Sequence, residues 1–137
     1  MKDEFLLIVL TPYGKYLETE VSFLSIASEE YTLGILKNHA DLISSIKICS
    51  MLIKTSTGNR KFAVGGGLIK IKDNVVTLVV NSCESIDEID LSRALNSKNR
   101  ALERINLAKN DSSIDIYRAE ASLKRALNRI NLKEENH

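Results

Sequence analysis

Little in this sequence invites redox or metal chemistry. Cysteine occurs only at Cys49 and Cys83, 34 residues apart and in no CxxC pair, and histidine only at His39 and His137. Those four positions match no familiar zinc spacing, so the expectation is two reduced packing thiols, no metal and no disulfide. No window approaches ~18 uninterrupted apolar residues. The opening Met1-Lys2-Asp3-Glu4 before the short run Phe5 to Leu10 lacks a signal-peptide cleavage pattern, so the chain is expected neither to span a membrane nor to be exported.

Charge of one sign is also scarce. Formal net charge is +1 over 137 residues, with 9 Lys/Arg against 10 Asp/Glu in residues 1–87 and 10 against 8 in residues 88–137. The second part is mildly basic, without the interleaved aromatics of a nucleic-acid surface, so a nucleic-acid partner is not expected. A hydrophobic share of 44% with 27% charged residues is enough for a packed core under a soluble surface.

What the sequence has is unevenly placed. All six glycines, the single proline and six of the seven aromatics precede residue 68, whereas six of the seven arginines follow residue 92. The break near Asp87 divides the chain into expected domains 1–87 and 88–137. In the first, short apolar or alternating runs predict eight strands: 5–10, 16–26, 31–36, 42–48, 51–55, 61–64, 68–72 and 75–80. Turn chemistry at Thr11-Pro12-Tyr13-Gly14, Ser56-Thr57-Gly58-Asn59 and Asp73-Asn74 separates some of them. This is the pattern of an antiparallel β-sandwich or barrel, and it has no room for a βαβ nucleotide fold.

After Asp87 the apolar period becomes helical. Leu91, Leu95 and Leu102 combine with Ala94, Ala101 and Ala108; Ile116, Leu123 and Ile130 alternate with Ala119 and Ala126. Two helices of about 18 to 20 residues, joined by a loop at residues 109–113 that carries an N-cap, predict an antiparallel hairpin. Such a hairpin buries one thin seam against an ordering cost of roughly 1–2 kcal/mol per residue, so it should dock or open.

Catalytic motifs are missing. Gly65-Gly66-Gly67 runs into the strand-like Leu68-Ile69-Lys70-Ile71-Lys72 instead of a helix, which suits a bulge or close strand approach and not a phosphate loop. His39 has no nucleophile in a recognisable context. The arginines are more informative: Arg93, Arg100 and Arg104 fall at i, i+7, i+11, and Arg118, Arg125 and Arg129 repeat the spacing. Two facing guanidinium stripes could hold a polyphosphate, or could equally form a solvated face or meet an acidic protein. Asp90 fits helix-start chemistry, while Glu84 has no local task.

Several segments resemble the epsilon subunit of bacterial F-type ATP synthase along nearly the whole chain: Val9-Leu10-Thr11-Pro12-Tyr13-Gly14, residues 33–40, Phe62-Ala63-Val64-Gly65-Gly66-Gly67, Ile89-Asp90-Leu91-Ser92-Arg93-Ala94 and residues 123–129. The resemblance implies a β-sandwich held by the gamma subunit and the c-ring of the rotor, followed by a mobile helical hairpin. Folded, the hairpin lies on the sandwich. Extended, it reaches the alpha and beta subunits and blocks ATP hydrolysis. It implies no catalytic residue, no required cofactor, and ATP as a regulatory ligand of the folded hairpin. Carried over by position, the ATP candidates are Glu84, Asp90, Arg93, Arg100, Arg125 and Arg129, and the gamma or c-ring contact candidates are Asn38 and His39. Membrane association, at the cytoplasmic face, would come through the complex alone. The chain departs from the family pattern at Thr32, Lys37 and Asp41, in or near the loop expected to approach the c-ring. The rival expectation is a purely structural rotor clamp without ATP sensing.

Overall fold

The computed structural model describes residues 3–135, so His137 lies outside it. The chain divides into two compact units, residues 1–85 and 86–137. In chain order the first holds β1 (Phe5–Thr11), β2 (Gly14–Val21), β3 (Phe23–Ala27), β4 (Thr32–Ile35), β5 (Leu42–Thr55), β6 (Gly58–Lys72), β7 (Val75–Val80) and β8 (Cys83–Ser85). The strands follow the order β2-β1-β7-β6-β5-β3-β4, with β8 also pairing β6. Every pair is antiparallel except β1 with β7, which is parallel.

The architecture is the expected sandwich, but its strands are not all short. The predicted runs 42–48 and 51–55 form one strand of 14 residues, and 61–64 and 68–72 form one of 15. Both serve the whole core because their inward-facing parity changes at the same level. In β5 the buried set passes from Ile46 to Cys49, Met51 and Ile53, and in β6 from Phe62 and Val64 to Ile69 and Ile71. Two of the glycines at this level have left-handed backbone, with φ 91° at Gly66 and 154° at Gly67. A Cβ on Gly67 would collide with the Val79 carbonyl oxygen, and one on Gly65 with Ser82 Oγ. The glycines therefore permit a bend and close strand approach.

The predicted strand 16–26 is instead two strands. Ser22 interrupts it, with both its N–H and its hydroxyl donating to the Lys54 carbonyl, at 2.8 and 3.2 Å. The Asp73-Asn74 turn has φ 51° and 62°, the twin left-handed pair of a tight type I′ hairpin. Cys49 and Cys83 both stand opposite Val64, on its two sides. They are thus two strand spacings apart, roughly 10 Å, beyond the ~7 Å Cα limit for a disulfide. Burial pushes the Cys49 thiol up from its ordinary value, against smaller opposing effects of the Ala27 carbonyl and Lys47.

The second unit begins with a 3₁₀ turn, Ile86–Glu88, followed by α1 (Leu91–Ala108) and α2 (Ile116–Glu135). Asp90 is the N-cap of α1 and not its first helical residue: Oδ1 accepts from the Arg93 N–H at 3.1 Å. Asp115 does the same for α2, accepting from the Arg118 N–H at 3.1 Å, so the cap lies just beyond the expected loop. Within that loop Asp111 Oδ1 accepts from the Ser113 N–H and hydroxyl, at 2.9 and 2.6 Å. At the other end of the hairpin, Lys133 Nζ donates to the Ile86 carbonyl at 2.9 Å.

The seam between the helices differs from the expectation. Ala94, Ala101, Ala119 and Ala126 are buried, but Leu95, Leu102 and Ile116 are exposed. Methyl-sized residues bring the axes close, and large side chains on the same stripe are then displaced to the flanks.

Candidate functional site

Between α1 and α2 lies a cleft of about 270 Å³, lined by Arg100 and Arg104 of α1, Arg125 and Arg129 of α2, and the hydroxyls of Ser97 and Ser122. The helical repeat explains the convergence. Residues four apart share a face, as do residues three apart, so Ser97, Arg100 and Arg104 form one edge, and Ser122, Arg125 and Arg129 the other. The buried Ala101 and Ala119 supply the floor.

Local bonds orient two of the guanidiniums. Arg100 Nη2 donates to Ser97 Oγ at 3.2 Å, and Arg125 Nη2 to Ser122 Oγ at 3.1 Å. Among the described residues no carboxylate lies within salt-bridge distance of Arg100, Arg104 or Arg125. Arg125 and Arg129 are half-buried, which raises the worth of any anion placed against them. Four permanently charged, fork-shaped donors facing one space are suited to the oxygens of a phosphate chain.

Of the sequence candidates, the structure brings Arg100, Arg125 and Arg129 together here. Arg93 is exposed and does not line the cleft, and Asp90 is committed through its carboxylate to the helix cap. Glu84 is in β8, in the first unit, where it pairs across the ladder with Ala63. Arg104 belonged to the arginine stripe but not to the positions carried over by resemblance, and Ser97 and Ser122 were missed as lining residues. The i, i+3 spacing of serine before arginine on both helices was the signal that could have found them.

The other candidates, Asn38 and His39, sit in the loop between β4 and β5. Asn38 is left-handed at φ 61°, and its N–H donates to Asn74 Oδ1 at 2.7 Å. Asn74 Nδ2 in turn donates to the Glu4 carbonyl at 3.1 Å. This gathers the loop, the β6–β7 turn and the start of β1 at one end of the sandwich. His39 Nδ1 lies 2.7 Å from the Ala40 carbonyl, which can only accept, so Nδ1 carries the proton in that arrangement. Beside them Leu36 is 61% exposed.

Together the fold and these sites define a two-part chain, a β-sandwich module followed by a helical hairpin with a cationic cleft. The chain belongs to the ATP synthase delta/epsilon chain family, as an epsilon subunit of the F-type enzyme, a non-catalytic component of its central stalk. Its residues 4–86 match the family's beta-sandwich domain and residues 87–134 its long alpha-helix domain. It is 44% identical over 97 residues to the ATP synthase epsilon chain of Pelotomaculum thermopropionicum, covering 71% of this chain and 72% of that one. To the ATP synthase epsilon chain of Desulfitobacterium hafniense it is 38% identical over 105 residues, covering 77% and 80%.

The fold is shared with a chain of the Euglena gracilis mitochondrial ATP synthase, solved with OSCP, F1 and the c-ring. That likeness has a TM-score of 0.80 and 16% identity, and covers 100% of this chain and 84% of that one. Among the described residues no helix is long and apolar enough to cross a membrane.

Proposed function

We propose that this chain clamps gamma to the c-ring through its sandwich and restrains ATP hydrolysis through its hairpin, with ATP bound between α1 and α2 as the signal that keeps the hairpin closed. The arginine cleft is the observation that carries the ATP reading. Its donors come from both helices, so it exists only while they are side by side. An extended hairpin, reaching along gamma toward alpha and beta, would divide the donors and lose the ligand. ATP then favours the closed form by its differential affinity alone. A site half-saturated at cellular ATP adds about 0.4 kcal/mol, and one at a hundredfold excess about 2.7 kcal/mol.

The clamp reading is supported by the outer face of the sandwich. Leu68 and Val79 are paired across β6 and β7 and each is 53% exposed, while Ile43 on β5 is 72% exposed. An apolar strip of that kind suits a lasting protein partner. The exposed Leu36 and the tethered loop with Asn38 and His39 suit a second contact at the end of the sandwich. The chain would then lie at the cytoplasmic face of the cell membrane, held there by the complex.

Two experiments test this. ATP titration of the full chain by calorimetry should show binding that falls at least tenfold in Arg100→Ala/Arg125→Ala; equal affinities would remove ATP from the cleft. ATP synthase assembled with a chain ending at residue 87 should hydrolyse ATP faster than the intact complex. An unchanged rate would reduce the hairpin to a structural part of a rotor clamp.

A further inference from the structure

The two helices are copies of one sequence. A shift of 25 places sets residues 90–107 on 115–132 with 11 of 18 positions identical, including Asp90 on Asp115, Arg93 on Arg118 and Ser97 on Ser122. The densest stretch sets Arg100-Ala101-Leu102-Glu103-Arg104-Ile105-Asn106-Leu107 on Arg125-Ala126-Leu127-Asn128-Arg129-Ile130-Asn131-Leu132. The hydrogen bonds repeat as well. Asp90 and Asp115 each accept from the N–H three residues on at 3.1 Å, and Arg100 and Arg125 each bond the serine three residues back, at 3.2 and 3.1 Å.

Two like helices packed antiparallel are related by an approximate two-fold axis running through the cleft between them. That axis exchanges Arg100 with Arg125, Arg104 with Arg129 and Ser97 with Ser122, which are the polar groups lining the cleft. A triphosphate is not symmetric, because one end carries the nucleoside. It nonetheless meets the same donors whichever way it lies.

We propose that a nucleoside triphosphate occupies this cleft in two opposed, mutually exclusive orientations. Arg100 and Arg125 are shared. Arg129, with the Asp90 and Arg93 end of the hairpin, serves one orientation; Arg104, with the Asp115 and Arg118 end, serves the other. Arg104 is thereby a ligand residue in its own right. Phosphate recognition is thus blind to direction, and any preference for one direction comes from the nucleoside end.

This inference rests on the cleft being a polyphosphate site, and the test separates the two. ATP affinity of the full chain is measured for Arg104→Ala, Arg129→Ala and the double variant. Two orientations predict about a twofold loss for each single variant, because the other orientation remains, and at least a tenfold loss for the double. A tenfold loss in one single variant with none in the other overturns the proposal and leaves the site standing, as do large losses in each that simply add. No binding by the unaltered chain overturns both.

A second measurement needs no variant. Photolabelling the unaltered chain with 8-azido-ATP should mark peptides at both ends of the hairpin, suppressed by excess ATP. Label confined to one end contradicts the two orientations.

Discussion

The sandwich and the hairpin are stabilised in different ways. The first packs Phe62, Leu7, Leu24, Met51, Ile53 and other large side chains into one cluster with almost no exposure. In the second, α1 buries only Ala94 and Ala101. A large buried apolar side chain contributes roughly 1.5–3 kcal/mol and a methyl far less, so the two units differ steeply in core per ordered residue. The sandwich is built to persist in one form. The hairpin relies on caps at Asp90 and Asp115 and on a thin alanine seam, to which α2 adds only Ile130 and Leu132 as large buried side chains.

If the units owe their stability to separate sources, substitutions should act on one at a time. The largest effect is expected from Phe62→Ala, which removes a fully buried ring that meets Tyr16 edge-on at 6.2 Å; it should cost the sandwich about 3–5 kcal/mol. Denaturant melting followed by hydrogen exchange should show destabilised strands beside unchanged α1 and α2 amides. Loss of both together would mean a single cooperative unit. Next comes Gly67→Ala, at about 2–3 kcal/mol in the same assay, because the new methyl meets the Val79 carbonyl on a left-handed backbone. A cost near zero would place the bend elsewhere.

In the hairpin, Ala126→Leu should overpack a completely buried seam position and cost about 1–3 kcal/mol, read as faster exchange confined to the helices. Faster exchange of the strands as well would contradict the division.

The smallest effect concerns the loop, where hydrogen bonds from the Ser113 hydroxyl and N–H hold Asp111 below the usual carboxylate range. A folded pKa below the unfolded one stabilises the loop above the ordinary carboxylate range and loses that contribution as pH falls through the folded value. Exchange-corrected protection of the Ser113 amide should therefore decline at acid pH and be insensitive in Asp111→Asn; an equal decline in the variant would remove Asp111 as the cause.

The same contrast governs what the sequence reveals. Alternation identified most of the sandwich, but Gly65, Gly66 and Gly67 interrupt the pattern without ending the strand, so one strand reads as two. Cys83-Glu84-Ser85 is too short to register as a strand, and Ser22 breaks a run whose apolar residues continue through it. In the hairpin, the alanine spacing was legible. The fate of Leu95 and Leu102 was not, because how closely two helices approach is a property of the pair. For the cleft, the i, i+7, i+11 spacing exposed the arginines of both helices, four of which line it, while the serines that orient Arg100 and Arg125 are ordinary surface residues until the 25-residue repeat is noticed.

The central claim is that ATP holds the two helices together while leaving the sandwich indifferent. Hydrogen exchange of the full chain, with and without ATP at a hundred times its dissociation constant, tests it most directly. Amides of α1 and α2 that exchange by hairpin opening should slow about a hundredfold, as 2.7 kcal/mol requires, with the β5 and β6 amides unchanged. Unaltered helix amides, or equal slowing throughout both units, would contradict it.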